Sequence, residues 1–483
     1  MTTLCRHAAR VRTAFWPVLI LCVGLGAVAT LLAQPAQVSG PKRLNVLLIM
    51  ADDLNTDLAT YGGPARSPNI DRLAARGLRF DRAYTQYPVC NQSRSSMLTG
   101  RRPDVTGVLS NPGRNPMSPH FRERLPNAVT LPQLFRNNGY VSARVGKLFH
   151  YGVPLDIGTG GLDDYKSWDI AINPRGRDRE LLDKVFTLVP GQFGGTVSWL
   201  ADDEGEDAQH TDGIGAAEAV RLLERFQREQ KPFFLGVGFY RPHTPYVSPR
   251  RYFDMYPTSG ITLPTLSADD TVREPKAAYR RANKEQDAMT DAQRREAIQA
   301  YYAAATFMDA QVGVVLAALE RLGLADNTVV VFTSDHGYHL ADHGLWQKPS
   351  LFEHCARVPL VIAAPGRARG TSTRALSELV DLYPTLAEMA GLTPSDPLDG
   401  RSLVPVLDTP DRTVRDAAFT QAYNGYAVRT DRWRYIEWAE GREGRQLYDL
   451  AADPQETQNL ATAPAHADVV ADLSARLAAY RQK

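Results

Sequence analysis

Two apolar runs, each ended by a pair of metal-loving side chains, constrain this chain more than anything else in it. Leu44-Asn45-Val46-Leu47-Leu48-Ile49-Met50 stops at Asp52-Asp53, and Thr328-Val329-Val330-Val331-Phe332-Thr333 stops at Asp335-His336. Runs of this length without polar alternation hide both faces, as central strands of a parallel sheet must when helices cover it on both sides. The stretches between them carry helix signals. Ser67-Pro68 offers an N-cap and a first-turn proline for a helix from Asn69 to about Arg76, stopped by Gly77. A second helix is expected over Thr130–Asn138, closed by Gly139 and followed by a strand Tyr140–Val145. Asp212 is read as the cap of a third helix, with Phe233–Phe239 as the next strand. The longest helical pattern covers Asp291 to about Leu322, and Val358–Ala363 is a further strand. Alternating strands and helices predict an α/β fold with a large, mainly parallel sheet flanked by helices.

The remainder divides around that core. Residues 1–38 read as an export leader: Arg6, Arg10 and Arg12 precede an apolar stretch from about Ala14 to Ala33, and Ala27-Val28-Ala29 offers small residues for cleavage. The stretch is near the length of a membrane span, so an uncleaved N-terminal anchor is the alternative, and either way the body is expected to be periplasmic or secreted. Residues 42–405 are expected to form the catalytic domain. Residues 406–483, with short strands at Ala418–Gln421, Tyr426–Arg429 and Arg434–Trp438 and a final helix near Ala465–Tyr480, form a smaller C-terminal α+β subdomain. The segments 151–211 and 246–290 are rich in Gly, Pro and charge without periodicity, and read as insertions at the mouth of a site. Setting the three leader arginines aside leaves 52 basic against 54 acidic residues, a balance that gives no electrostatic footprint for nucleic acid. Four cysteines, two of them in the leader, are too few for a disulfide-stapled fold. A single Cys90–Cys355 bridge stays open.

In doubly wound folds, ligands sit beyond the carboxyl ends of the strands. If both runs are central, Asp52, Asp53, Asp335 and His336 converge there, a mostly oxygen donor set that suits Ca²⁺ or Mg²⁺ better than zinc. The plainer reading is that each Asp caps the next helix or turn. Cys90 precedes a short helix from about Ser93 to Thr99, closed by Gly100, where the helix N-terminus favours an anion and Arg94 adds charge one turn in. A lone cysteine is more commonly a buried structural residue. Lys147 follows a strand in Gly146-Lys147-Leu148-Phe149-His150. Lys348 lies in Trp346-Gln347-Lys348-Pro349, and His243 sits in the proline-stiffened run Arg241-Pro242-His243-Thr244-Pro245. His339 and His343 are an i, i+4 pair expected in a loop, with little specificity as ligands.

These residues in this order resemble the type I, formylglycine-dependent sulfatases of the alkaline phosphatase superfamily, above all the branch of iduronate-2-sulfatase and its bacterial relatives. The likeness runs from about Leu44 to Leu460. It includes Ser67-Pro68-Asn69-Ile70-Asp71-Arg72-Leu73, Leu98-Thr99-Gly100-Arg101-Arg102-Pro103, Ser334-Asp335-His336-Gly337 and Leu447-Tyr448-Asp449-Leu450. Arg-Pro-His-Thr-Pro, the Asp-His pair and the Gly-Lys-x-x-His spacing mark the iduronate branch. The resemblance implies a sulfuric ester hydrolase acting on a sulfated saccharide of glycosaminoglycan type. It implies that a maturation enzyme converts Cys90 to formylglycine (3-oxoalanine), whose hydrate is the nucleophile. Asp52, Asp53, Asp335 and His336, with the residue-90 oxygen, would then hold Ca²⁺, or Mg²⁺ in its place. Arg94 and Lys147 would stabilise the hydrate, His243 and Lys348 would hold sulfate and protonate the departing oxygen, and His150 would accept a proton from the remaining hydroxyl. One position departs from the family pattern Cys-x-Pro-Ser-Arg: Gln92 stands where the proline belongs, which bears on maturation rather than on the catalytic set. The other functional classes the residues admit are a sulfated-glycan binding protein with unmodified Cys90, and a phosphoester hydrolase using the same cation cradle.

Overall fold

The computed structural model describes residues 43–111, 120–265, 274–280 and 284–482; the leader read at 1–38 lies outside them. The first apolar run forms the strand Asn45–Asp52, at the heart of a nine-stranded sheet. Val46, Leu48 and Met50 pack into one apolar layer while Leu47, Ile49 and Ala51 pack into the other, so the period of two sends alternate side chains to opposite faces and both faces are buried. Parallel neighbours flank this strand: Phe233–Pro242 on one side and Thr328–Ser334 on the other. The sheet extends outward from Phe233–Pro242 through Val141–Gly146 to Ile170–Ile172, all parallel. On the other side Arg357–Ala363 lies antiparallel to both Thr328–Ser334 and Leu78–Tyr84, the single reversed strand of this sheet among the described residues.

Helices cover both faces as expected. Pro68–Arg76, Thr211–Glu229 and Asp291–Arg321 lie on one, and Cys90–Thr99, Leu131–Asn137 and Leu382–Met389 lie on the other. Asp291–Arg321 is long and apolar enough to cross a bilayer, yet most of its residues are buried inside the fold, so its apolarity serves the core. Two caps differ from expectation. Ser67 makes no cap bond to the helix it precedes; its Oγ accepts from the Thr60 amide instead. The amides of Asn69 and Ile70 are taken by Asp309, which reaches across from the long helix at 3.1 and 2.8 Å. Asp212 is not a cap either. It lies inside the helix Thr211–Glu229, whose N-cap is His210, and its two carboxylate oxygens accept from the amides of Tyr240 and Arg241 at 2.8 and 2.9 Å. A cap recruited from a distant element satisfies the same orphan amides as a local one, and no local pattern can reveal it.

The segments 151–211 and 246–290 hold more regular structure than their composition suggests: Phe186–Thr187, Ser198–Asp202 and Tyr246–Pro249 form a separate three-stranded sheet. At the C-terminus, Ala418–Ala422, Gly425–Arg429, Trp433–Trp438 and Arg445–Asp449 make a four-stranded antiparallel sheet. Val428, Tyr435 and Leu447 on one face pack on Leu473 and Leu477 of the final helix Ala467–Arg481. Ala427, Ile436, Trp438 and Tyr448 on the other pack against Tyr87, Leu351 and Phe352 of the main body. This joint is also ionic. Arg434, 1% exposed, pairs with Glu353 and Glu456 and donates to Leu351 O at 2.8 Å, while Arg415 pairs with Glu378 and Asp381.

Candidate active site

The parallel strands Asn45–Asp52 and Thr328–Ser334 end side by side, with Ala51 in register with Ser334, so the polar residues that follow them meet at one edge of the sheet. Asp53 has a left-handed backbone (φ 65°), a conformation that Asp tolerates better than most residues. Three bonds hold it there. Its amide donates to Asp335 Oδ1 at 3.1 Å, its carbonyl accepts from Tyr301 Oη at 2.8 Å, and that hydroxyl accepts in turn from the Asn55 amide at 2.9 Å. The long helix therefore shapes the site from behind through Tyr301.

Cys90 is the first residue of its helix, which starts three residues earlier than expected and ends at Gly100 in the left-handed conformation. Both Cys90 and Cys355 are free and buried, so the bridge left open by the sequence is not formed. Cys90 Sγ lies 2.9 Å from Lys348 Nζ, 3.4 Å from His336 Nε2 and 3.6 Å from Asp53 Oδ1. Burial, with Asp52 adding to it, pushes the thiol well above its ordinary range and keeps it protonated.

Three cations compensate three buried carboxylates. Arg94, wholly buried, donates to Asp335 Oδ2 at 2.8 Å and Asp52 Oδ1 at 3.1 Å, with further bonds to the carbonyls of Lys147, Leu148 and Ala51. Lys147 Nζ meets Asp52 Oδ2 at 2.5 Å, and Lys348 pairs with Asp53. Burial alone would raise Asp52 and Asp335; Lys147 and Arg94 outweigh it at the first, and Arg94 above all at the second, leaving both carboxyls low and ionised. Burial would likewise lower Lys348, but the Asp53 carboxylate beside it reverses that and the ammonium holds its proton firmly.

The imidazoles are kept neutral. His336 Nδ1 lies 2.8 Å from Gly337 O and His243 Nδ1 lies 2.6 Å from Thr244 O; a carbonyl can only accept, so each Nδ1 carries the hydrogen and each Nε2 faces the centre with its lone pair. Burial, ahead of Lys348, pushes His243 well below its usual range, and burial also lowers His336. His243 Nε2 is 3.7 Å from Asp53 Oδ2. His150 is buried in the same field, lowered by burial and then by Lys147, and its Nδ1 has no hydrogen-bond partner.

Donor atoms of Asp53, Cys90, Asp335 and His336 lie within 4.8 Å of one another, and those of Asp52, Asp53, Cys90 and His243 do the same. Ionised carboxylates and a neutral imidazole with its lone pair directed inward fit a hard divalent cation in charge and donor type. The structure thus gathers Asp52, Asp53, Cys90, Arg94, Lys147, His243, Asp335, His336 and Lys348 at one point. His150 stands beside them without a direct bond to the cluster. His339 and His343 do not join it. His339 lies in a two-residue strand rather than the expected loop and bonds Ser350 Oγ at 2.6 Å, and His343 stacks on Phe352. Sequence reasoning missed Tyr301, and it missed Ser334, whose Oγ accepts from the Leu54 amide and donates to His336 O, shaping the turn that carries Asp335-His336.

A buried, cation-lined cradle at the carboxyl edge of a mainly parallel sheet has the chemistry of a hydrolase of anionic esters. The sequence profile of the sulfatase family matches residues 44–392, and that of the N-sulphoglucosamine sulphohydrolase C-terminal region matches 341–483. This chain belongs to the sulfatase family and is a sulfuric ester hydrolase. Iduronate 2-sulfatase of Mus musculus is 35% identical over 421 residues, covering 78% of this chain and 74% of that protein. A sulfatase of Formosa agariphila is 34% identical over 432 residues, 86% of this chain and 82% of its own length. Among solved structures, the phosphonate monoester hydrolase of Agrobacterium radiobacter superposes with a TM-score of 0.75 over 91% of this chain and 96% of its own; at 24% identity it speaks for the fold alone.

Proposed function

We propose that the protein is an exported sulfatase that removes sulfate from sulfated sugars, with a uronate 2-sulfate of a glycosaminoglycan-like chain as its substrate. The observation that carries the reading is the placement of Cys90: its Sγ lies 2.9 Å from Lys348 Nζ, at a helix start, among Arg94, Lys147 and three buried carboxylates. A sulfate ester is anionic, so dense positive charge favours both its binding and the charge that develops on the departing oxygen. The thiol, held protonated, is a poor nucleophile as it stands, which supports its conversion to formylglycine. When present, the hydrated aldehyde at position 90 supplies an oxygen nucleophile, and Ca²⁺ held by Asp52, Asp53, Asp335 and His336 supplies Lewis-acid charge.

The chain's own residues do the rest. Lys147 and Lys348 bind the sulfate oxygens, and Arg94 fixes Asp52 and Asp335 so that their free lone pairs face the centre. Lys348, holding its proton, and His243, which gains proton affinity when an anion lies beside it, serve the leaving oxygen. His150, neutral and with an unpartnered Nδ1, is suited to accept a proton. The uronate assignment draws on Arg241-Pro242-His243-Thr244-Pro245, on Gly146-Lys147-Leu148-Phe149-His150 and on the likeness to the mouse iduronate 2-sulfatase.

The test is the mass of the tryptic peptide spanning residues 83–94 from protein made in its native host, together with sulfate release from 2-sulfated uronosides. The expected peptide carries an aldehyde in place of the thiol, and Cys90→Ala lowers release by on the order of 10⁵-fold. An intact thiol in an active preparation, or turnover that survives Cys90→Ala, overturns the mechanism.

A further inference from the structure

The loop that presents His243 is gripped by a buried ionic fork that the proposed chemistry does not yet use. Arg241, 1% exposed, sends Nε to Val247 O at 2.9 Å and Nη1 to His243 O at 3.2 Å and Pro245 O at 3.0 Å. One guanidinium thus collects three alternate carbonyls of the loop. Its Nη2 meets Asp178 Oδ2 at 2.5 Å; Asp178 is 2% exposed and comes from the short helix Arg177–Glu180, inside the 151–211 segment. The other Asp178 oxygen is fixed by the Thr211 amide at 2.8 Å and the Thr211 hydroxyl at 2.6 Å. Asp212 holds the amides of Tyr240 and Arg241 from the opposite side. Because the His243 ring bonds the carbonyl of the next residue, Thr244, its aim is set by the backbone that this fork holds. A planar five-donor fork can do this where a lysine cannot.

We propose that Arg241, locked by Asp178, is a positioning residue that aims His243 at the leaving oxygen of the sulfate ester. The inference rests on the role given to His243 above. Neither residue touches substrate. Arg241 replaces the loop's lost backbone partners, and Asp178 compensates a guanidinium that burial would otherwise make costly.

The experiment compares matured, metal-loaded enzyme with Arg241→Lys, Asp178→Asn and His243→Ala on two aryl sulfates, one with a nitrophenol leaving group and one with an unactivated phenol. A good leaving group needs little protonation, so an acid out of place shows on the poor one. In both fork variants kcat for the unactivated substrate falls about 100-fold, while the nitrophenyl ester falls only a few-fold. His243→Ala shows the same discrimination, and combining it with Arg241→Lys adds no further loss. Equal losses on both substrates in the fork variants, with His243→Ala discriminating, reduce the fork to structural support and overturn the proposal. If His243→Ala itself fails to discriminate, the role given to His243 falls and takes the proposal with it. Amide hydrogen exchange provides a readout free of turnover: residues 241–247 should exchange about tenfold faster or more in both fork variants, beyond the increase that any loss of global stability gives the central strands, and exchange no faster than theirs overturns the clamp.

Discussion

Two clusters of buried charge in this protein are built from the same parts for different ends. At the joint between the main sheet and the C-terminal sheet, Arg434 and Arg415 each hold two carboxylates, and those carboxylates also accept backbone amides: Glu456 from Glu353, Asp381 from Glu378 and Arg401. At the edge of the main sheet, Arg94, Lys147 and Lys348 face Asp52, Asp53 and Asp335, but the cluster also holds a thiol and two imidazoles, His243 and His336, whose Nε2 lone pairs face inward. Lys348 keeps 14% of its side chain exposed, whereas Arg434 keeps 1%. The joint is closed on itself. The site keeps donors and acceptors free to exchange partners with an incoming anion, and that, rather than the amount of charge, separates a reactive cluster from a structural one.

Substitutions in the two clusters should therefore have opposite signatures. Lys348→Ala is expected to lower kcat/KM for a sulfate ester by about 10³-fold with little change in thermal midpoint; a variant that melts early and keeps its activity would erase the distinction. Arg434→Ala strands Glu353 and Glu456 and should cost about 3–5 kcal/mol of stability in denaturant titration, with turnover per folded molecule preserved. The smallest effect is a pH slope. Burial, with Glu353 adding to it, raises Glu456 to about 7 despite Arg434. A carboxyl whose pKa is raised on folding contributes stability in full below its unfolded value and loses it as pH rises through the folded one. Thermal midpoints measured from pH 5 to 8 should thus fall more steeply in the wild type than in Glu456→Gln. Parallel slopes would remove Glu456 from the account.

Much of this was legible in the chain because the decisive signals are local. An apolar run that ends in Asp-Asp or Asp-His states both that a strand is central and that its end carries ligands, and the structure sets both pairs at adjacent strand ends. Gly100 ended its helix as expected, and the strands at Val141, Phe233 and Thr328 began within a residue of their signals. What was not legible depends on contacts between distant residues. The direction of Arg357–Ala363 leaves no mark in its composition, which reads like that of its parallel neighbours. Asp309 capping a helix that begins at Pro68, Asp212 holding the amides of a strand, and Asp178 pairing with Arg241 are side chains whose partners are chosen by topology. A short polar residue before an apolar pattern looks like a cap in any sequence, so Asp212 was misread for a sound local reason.

All ten residues of the helix Cys90–Thr99 are buried, Cys90 at 0% exposure and Gln92 at 2%. A second protein cannot reach a side chain at that depth, so any enzymatic alteration of residue 90 must be written into the chain before the helix docks. Folding then acts as a clock: it sets the interval in which the alteration can happen and afterwards seals the result. Two molecules of identical sequence and shape can leave that interval in different chemical states and have no route to interconvert short of unfolding. Under the maturation proposed above, the activity of a preparation would in that sense record how each chain's synthesis was timed, and slower folding would lengthen the interval in which the record is made.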